Sequence, residues 1–131
     1  MKPKKTLYKN QEDACNKATS YLKTVLSKSK SVKEAYIWAS LAEGKFGIYN
    51  KPYRDQTGSD IDLVIVMNEP ISIPSDWKST EIEESWFTLY HLGYFEYQGN
   101  KHRIDGLVVI PSKHDINMMK QLLKGRARKI F

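Results

Sequence analysis

The chain has 131 residues, 40% hydrophobic and 11% aromatic; that is enough for one core and too few for two ordinary domains, so residues 1–131 are expected to form a single domain. No apolar run approaches membrane-spanning length, and no apolar signal core follows the charged start Met1-Lys2-Pro3-Lys4-Lys5; with Cys15 alone, an intrachain disulfide and a thiolate-rich zinc site are also excluded. The net charge of +6 gathers partly at the ends, in Lys2, Lys4, Lys5 and Lys9 and in Lys120, Lys124, Arg126, Arg128 and Lys129, which suits phosphate-bearing partners as well as plain solubility; a reducing, cytoplasmic setting fits.

Apolar residues Ala14, Ala18, Tyr21, Leu22, Val25 and Leu26 recur at helical spacing from Asn10 to about Ser27, with Asn10 as cap and Glu12 and Asp13 in the first turn. Residues 27–31 read as a loop. Ala35 to Ala39 reads as a short strand or a buried helical turn, and Ser40 to Lys45 as the opening of a short helix. Gly47 to Gly58 shows no clean period and is expected to be an extended loop, whereas Asp60 to Met67 is the clearest strand. Two prolines make Asn68 to Pro74 a turn or irregular edge. The spacing of Ile82, Trp86, Leu89 and Tyr90 predicts a helix over 79–92 stopped by Gly93, although Ser85 to Tyr90 also fits a strand. Tyr94 to Tyr97 and Arg103 to Ile110 read as strands of a hairpin around Gln98-Gly99-Asn100-Lys101. Ile116, Met119, Leu122 and Leu123 define a closing helix capped at Ser112 or Asp115 and ended by Gly125. This order predicts an α/β or α+β domain around a small mixed β-sheet flanked by helices.

The stretch Gly58-Ser59-Asp60-Ile61-Asp62-Leu63-Val64-Ile65-Val66 sets two carboxylates at the mouth of an apolar strand. Side chains alternate along a strand, so Asp60 and Asp62 share a face with Val64 and Val66, opposite Ile61, Leu63 and Ile65. Carboxylates held that closely repel, and one stays protonated unless a cation lies between them. Oxygen-only ligands favour magnesium or manganese. Asp105 likewise enters a β-branched run, and beside the first strand it would reach the same cation, as a two-metal phosphoryl-transfer site requires. Short acidic pairs also sit at exposed strand ends with no role.

Trp38-Ala39-Ser40-Leu41-Ala42-Glu43-Gly44, then Gly58-Ser59-Asp60-Ile61-Asp62-Leu63-Val64, then Asp105 in a later strand, together resemble the nucleotidyltransferases of the DNA polymerase beta superfamily. The small, stand-alone minimal nucleotidyltransferases are the best match, over roughly residues 36–109. The resemblance implies a nucleotidyltransferase fold and attack of a hydroxyl on the α-phosphorus of a nucleoside triphosphate, with ATP the expected substrate and pyrophosphate released. It implies that Asp60, Asp62 and Asp105 hold the magnesium (or manganese) ions and that Asp105 helps draw the acceptor proton. Ala39, Ser40, Gly58 and Ser59 would lie on the nucleotide, with Ser40 and nearby amides cradling the β and γ phosphates. Lys45, Lys51 or Arg54 could add charge there. Two departures stand out: Ala39 replaces the family's glycine, and the stretch between Ser40 and Asp60 is longer than in small members, an insertion at 45–57.

The acceptor is expected on protein or RNA, and a chain this short leaves its pocket to a second subunit or another protein, such as the small helical partner these enzymes have in toxin–antitoxin modules, or to a homodimer. A non-catalytic relative that binds nucleotide or a partner is the alternative motivated by Ala39, and an RNA-binding module using the basic ends is a third. Of the histidines, His91 and His114 read as surface or satisfied, while His102 lies close to Asp105 in the chain. Trp77, Trp86, Tyr94 and Tyr97 could stack on a base, but aromatic residues at such spacing usually fill a core.

Overall fold

The run Ile61–Met67 is apolar at nearly every position because both of its faces are covered. In the computed structural model, which describes residues 2–131, it is one of nine strands and two helices among those residues. In chain order these are β1 (Lys5–Leu7), α1 (Gln11–Leu26), β2 (Val32–Trp38), β3 (Gly47–Tyr53), β4 (Gln56–Gly58), β5 (Ile61–Met67), β6 (Lys78–Glu83), β7 (Thr88–Tyr97), β8 (Asn100–Val109), α2 (Ile116–Leu123) and β9 (Arg128–Lys129). The main sheet has the order β6-β7-β8-β5-β2-β9, and β1-β3-β4 form a second, smaller sheet. Central strands β5 and β8 are parallel, and the other pairs are antiparallel, so the sheet is mixed and the class is α+β, as the order of elements predicts.

Helix α1 covers one face. Asn10 caps it by accepting a hydrogen bond from the Asp13 amide at 2.9 Å, and Glu12 and Asp13 complement the dipole in the first turn. Its Ala14, Ala18, Leu22 and Leu26 lie in one buried cluster with Ile37, Ile61, Leu63, Ile65 and Ile104. Burying a leucine completely contributes about 1.5–3 kcal/mol, so Leu22 and Leu26, both inaccessible to solvent, anchor the helix. Helix α2, capped by Asp115 through the Asn117 amide, lays Met119 on Val64, Val66 and Val109 of the opposite face. Those residues lie past the first turns of β5 and β8, so the starts of the two strands extend beyond this packing.

Three sequence expectations are corrected. Residues 79–92 are strands β6 and β7, not a helix. Thr88, Leu89 and Tyr90 pair with Val108, Leu107 and Gly106 of β8, and this cross-strand pairing overrides a helical spacing of only four apolar residues. Gly93, expected as a helix stop, has φ of +120° at a register shift between His91 and Gly93, a bulge that suits glycine. Residues 47–58 are the hairpin β3–β4, turning at Arg54 with φ of +58°, rather than a loop. Its period is invisible in sequence because residues 50–52 are exposed on both sides of β3, so no apolar alternation marks the strand. Residues 40–45 form turns, not a helix, closed by bonds from Glu43 to the Ala39 carbonyl and from Lys45 to the Ser40 carbonyl.

The predicted hairpin around Gln98 and Gly99 is present. Both residues have positive φ, the condition for a two-residue type I′ turn, and Tyr97 faces Asn100 across it.

Candidate metal centre

Strands β5 and β8 run in register, with Asp62 beside Asp105 and Leu63 beside Gly106. Residues opposite one another project to the same face, so both carboxylates lie on the face that carries Val64 and Val66. Asp60 stands one residue ahead of β5. One oxygen from each of Asp60, Asp62 and Asp105 lies within 4.8 Å of the others, so the three acids meet at one point.

Their partners differ. Asp60 receives Gln56 Nε2 at 2.6 Å on Oδ1 and faces Lys2 Nζ at 3.4 Å on Oδ2. Asp105 receives Arg103 Nε at 3.0 Å, with His91 Nδ1 3.5 Å from the same oxygen. Asp62 has no hydrogen bond or ion pair among the described residues. Burial, followed by the charges of Asp60 and Asp105, pushes its carboxyl up to about 7, against the pull of Lys2 and Lys5. Half of its population would thus carry a proton near neutrality. Lys2 and Lys5 form no ion pair with Asp62, so a divalent cation would supply the direct positive partner it lacks, and the oxygen-only donor set fits magnesium or manganese.

Beside Asp60 and Asp62 opens a cavity of about 310 Å³, lined also by Lys2, Lys5, Ala39, Ser40, Tyr49 and Ser59. Ala39 has φ of +60°, in the left-handed region that favours glycine, so this position makes the backbone demand that a glycine meets best. Ser40 Oγ makes a long 3.4 Å contact to the Asp60 carbonyl. Ser59 is buried, its hydroxyl held between the amide of Gly47 at 3.1 Å and its carbonyl at 3.3 Å. Gly58 faces elsewhere: a Cβ there would lie 2.0 Å from the His102 ring. Glycine at 58 is therefore required by an imidazole packed against the backbone.

His102 is fully buried, 2.7 Å from the Ser59 carbonyl through Nδ1 and 2.8 Å from the Tyr8 hydroxyl through Nε2. A carbonyl only accepts, so Nδ1 carries the proton and Nε2 accepts from Tyr8. Burial lowers its pKa to about 4, and Tyr8 is pushed up to about 12 by the same cause. His102 thus supports the segment leading to Asp60 from behind and does not enter the acid cluster. His114 binds the Ile110 amide through Nδ1. Trp77 and Tyr97 are core residues; Trp86 packs edge-on to Phe87, and Tyr94 lies under Lys101 and donates to Asp55. Lys45 lies close enough to Lys5 to help depress its pKa, and Arg54 stacks over Tyr53 at the hairpin tip.

Gln56 and Arg103 escape the sequence reading, His91 enters it only as a surface or satisfied histidine, and Lys2 and Lys5 only as part of the basic amino terminus. Arg103 was the most accessible of these, since two residues before Asp105 on one strand means the same face. His91 follows from the hairpin register once the bulge is known. Gln56 and the two lysines carry no local signal, because the second sheet that delivers them is itself invisible in the sequence.

Comparison of the chain with protein-family models, with curated proteins and with solved structures finds no match. Function therefore rests on the geometry. No helix among the described residues is long and apolar enough to cross a membrane.

Proposed function

We propose that this chain is a metal-dependent nucleotidyltransferase that moves a nucleoside monophosphate from a nucleoside triphosphate, ATP in the first instance, to a hydroxyl on protein or RNA. The observation that carries this reading is the convergence of Asp60, Asp62 and Asp105 within 4.8 Å at the start of two parallel strands, beside a cavity bounded by Ser40. Asp60, Asp62 and Asp105 would hold magnesium or manganese, whose charge would favour phosphoryl transfer there. Ser40 and the neighbouring backbone contact the phosphates. Asp105, pinned through one oxygen by Arg103, has its second oxygen available to take the proton from the acceptor hydroxyl. As the acceptor's hydroxyl oxygen, its proton passing to Asp105, bonds to the α-phosphorus, the bond from the α-phosphorus to the bridging oxygen breaks and pyrophosphate leaves.

The acceptor surface belongs to another molecule in this reading, either a small helical partner protein or a second copy, in a cytoplasmic setting. The test is transfer of α-labelled nucleotide, with each nucleoside triphosphate, to protein and RNA acceptors. Transfer by the wild type that vanishes in Asp60→Ala and Asp62→Ala supports the reading, and label incorporation unchanged in those variants contradicts it.

One observation favours a second reading, a non-catalytic nucleotide- or partner-binding relative: Lys2 and Arg103 already partner two of the three acids. Magnesium-dependent triphosphate binding without transfer to any acceptor would select it.

A further inference from the structure

The cavity beside Asp60 and Asp62 has an unusual wall. It comes from the amino-terminal segment, whose strand β1 is held to β3 by pairing of Lys5 with Tyr49 and of Leu7 with Gly47. A further bond, from the Asn50 amide to the Lys4 carbonyl, extends this anchoring. The segment is therefore fixed in register, and it sets Lys2 and Lys5 on the cavity beside Tyr49 of β3. Burial, and after it the ammonium groups of Lys2 and of Lys45 from the segment after Ser40, lower the pKa of Lys5 against the pull of Asp60 and Asp62. Asp60 and Asp62 line the same cavity and offset part of this positive charge; a divalent cation held between the acids would leave the lysines free for an anion.

The Lys2–Asp60 contact does not account for this arrangement. At 3.4 Å, with the lysine side chain 60% exposed, it is a weak surface pair that solvent screens well, and it is readily exchanged. Lys5 makes no ion pair at all among the described residues. The cavity, about 310 Å³, is at the bottom of the ~300–1,000 Å³ range of small-molecule sites, which suits a polyphosphate tail with the rest of the ligand outside.

We propose that the amino-terminal strand is part of the ligand site: Lys2 and Lys5 receive the polyphosphate of the substrate, and Lys2, the counter-ion of Asp60 in the free protein, turns to phosphate when a divalent cation takes its place. This deepens the nucleotidyltransferase reading and rests on it for the identity of the ligand, but the lysines can be tested apart from the acids. Lysine is suited to such an exchange, being a compact charge on a flexible stem.

The experiment is calorimetric titration of the full chain with inorganic tripolyphosphate, with and without Mn²⁺, and separately with Mn²⁺ alone. The variants are Lys2→Met/Lys5→Met and, as a control of equal charge change away from the cavity, Lys4→Met/Lys9→Met. The expected result is a loss of tripolyphosphate affinity of about tenfold or more in the first variant only, with Mn²⁺ affinity kept or raised because Asp60 has lost a competitor. Partial recovery in Lys2→Arg/Lys5→Arg would add support. Tripolyphosphate affinity within about twofold of wild type in the first variant overturns the proposal, as does an equal loss in the control or no binding by the wild type. Failure of the metal reading shows elsewhere, as absence of Mn²⁺ binding by the wild type.

Discussion

Asp62 on β5 stands opposite Asp105 on β8 in a parallel, in-register pair, and the two share a face with no residue between them. In a sheet such neighbours are about 5 Å apart at the backbone, so two carboxylates in this relation must repel unless protonated or bridged by a cation. Asp60 adds a third charge, and Asp62, without a hydrogen-bond or ion-pair partner among the described residues, carries the cost.

That cost has a sign and a window. The Asp62 carboxyl is raised in the fold to about 7, so between about pH 4 and 7 the folded state binds more protons than the unfolded state and stability falls as pH rises. At about 1.4 kcal/mol per pH unit, the loss approaches ~4 kcal/mol at its largest. Asp62→Asn removes the charge, so it is expected to be more stable than wild type above pH 7 and nearly equal to it at pH 4. Urea unfolding of both proteins across that range checks this; parallel curves would contradict it.

His102 works in the opposite direction. Its pKa is lowered to about 4, so the unfolded state binds the extra proton between about pH 6.5 and 4, and the contribution of His102 is lost as pH falls through that window. The wild type is expected to lose up to about 3 kcal/mol from this source on acidification, and His102→Gln to lose less. The difference between the two proteins in denaturant midpoint against pH isolates it from the Asp62 effect.

Gly58→Ala drives a methyl group into that imidazole, where the nearest ring atom is 2.0 Å from the new carbon. Neither the ring, bonded on both nitrogens, nor the backbone can yield cheaply. A destabilisation of about 1–3 kcal/mol or more is expected, measured by thermal or urea unfolding. Gly58→Ala/His102→Ala should recover part of it, since the clash disappears with the ring.

Ala39→Gly should be neutral or stabilising in spite of glycine's entropy. A left-handed φ costs an alanine about 1–2 kcal/mol, and glycine in an unfolded chain costs roughly 0.5–1 kcal/mol more than alanine. A gain of at most about 1.5 kcal/mol is expected in urea unfolding. A marked loss would show that the methyl group has a packing role.

How much of this was legible beforehand follows from where each constraint originates. The central strand, α1 with its Asn10 cap, α2 with Asp115 and the turn at Gln98-Gly99 all carry their signals within a few residues, and each forms as the sequence predicts. The alternation at Asp60 and Asp62 is equally local. Strands β6 and β7 were hidden because Ile82, Trp86, Leu89 and Tyr90 fit a helical spacing, and only pairing with β8 decides between the two periods. The hairpin β3–β4 was hidden for want of apolar alternation. With it went Gln56, which is only 2% exposed and ties Asp60 to the Gly58 carbonyl, and the lysines that β1 carries to the cavity.

Whether the three acids act together on one cation site is tested most directly by Mn²⁺ titration of the wild type and of Asp60→Ala, Asp62→Ala and Asp105→Ala, by calorimetry at pH 8. Binding by the wild type that falls at least about tenfold in each single variant, and that weakens on going from pH 8 to pH 6 as Asp62 takes its proton, is the predicted result. A wild type that binds no Mn²⁺, or an Asp105→Ala variant that binds it as tightly as wild type, would contradict the shared site.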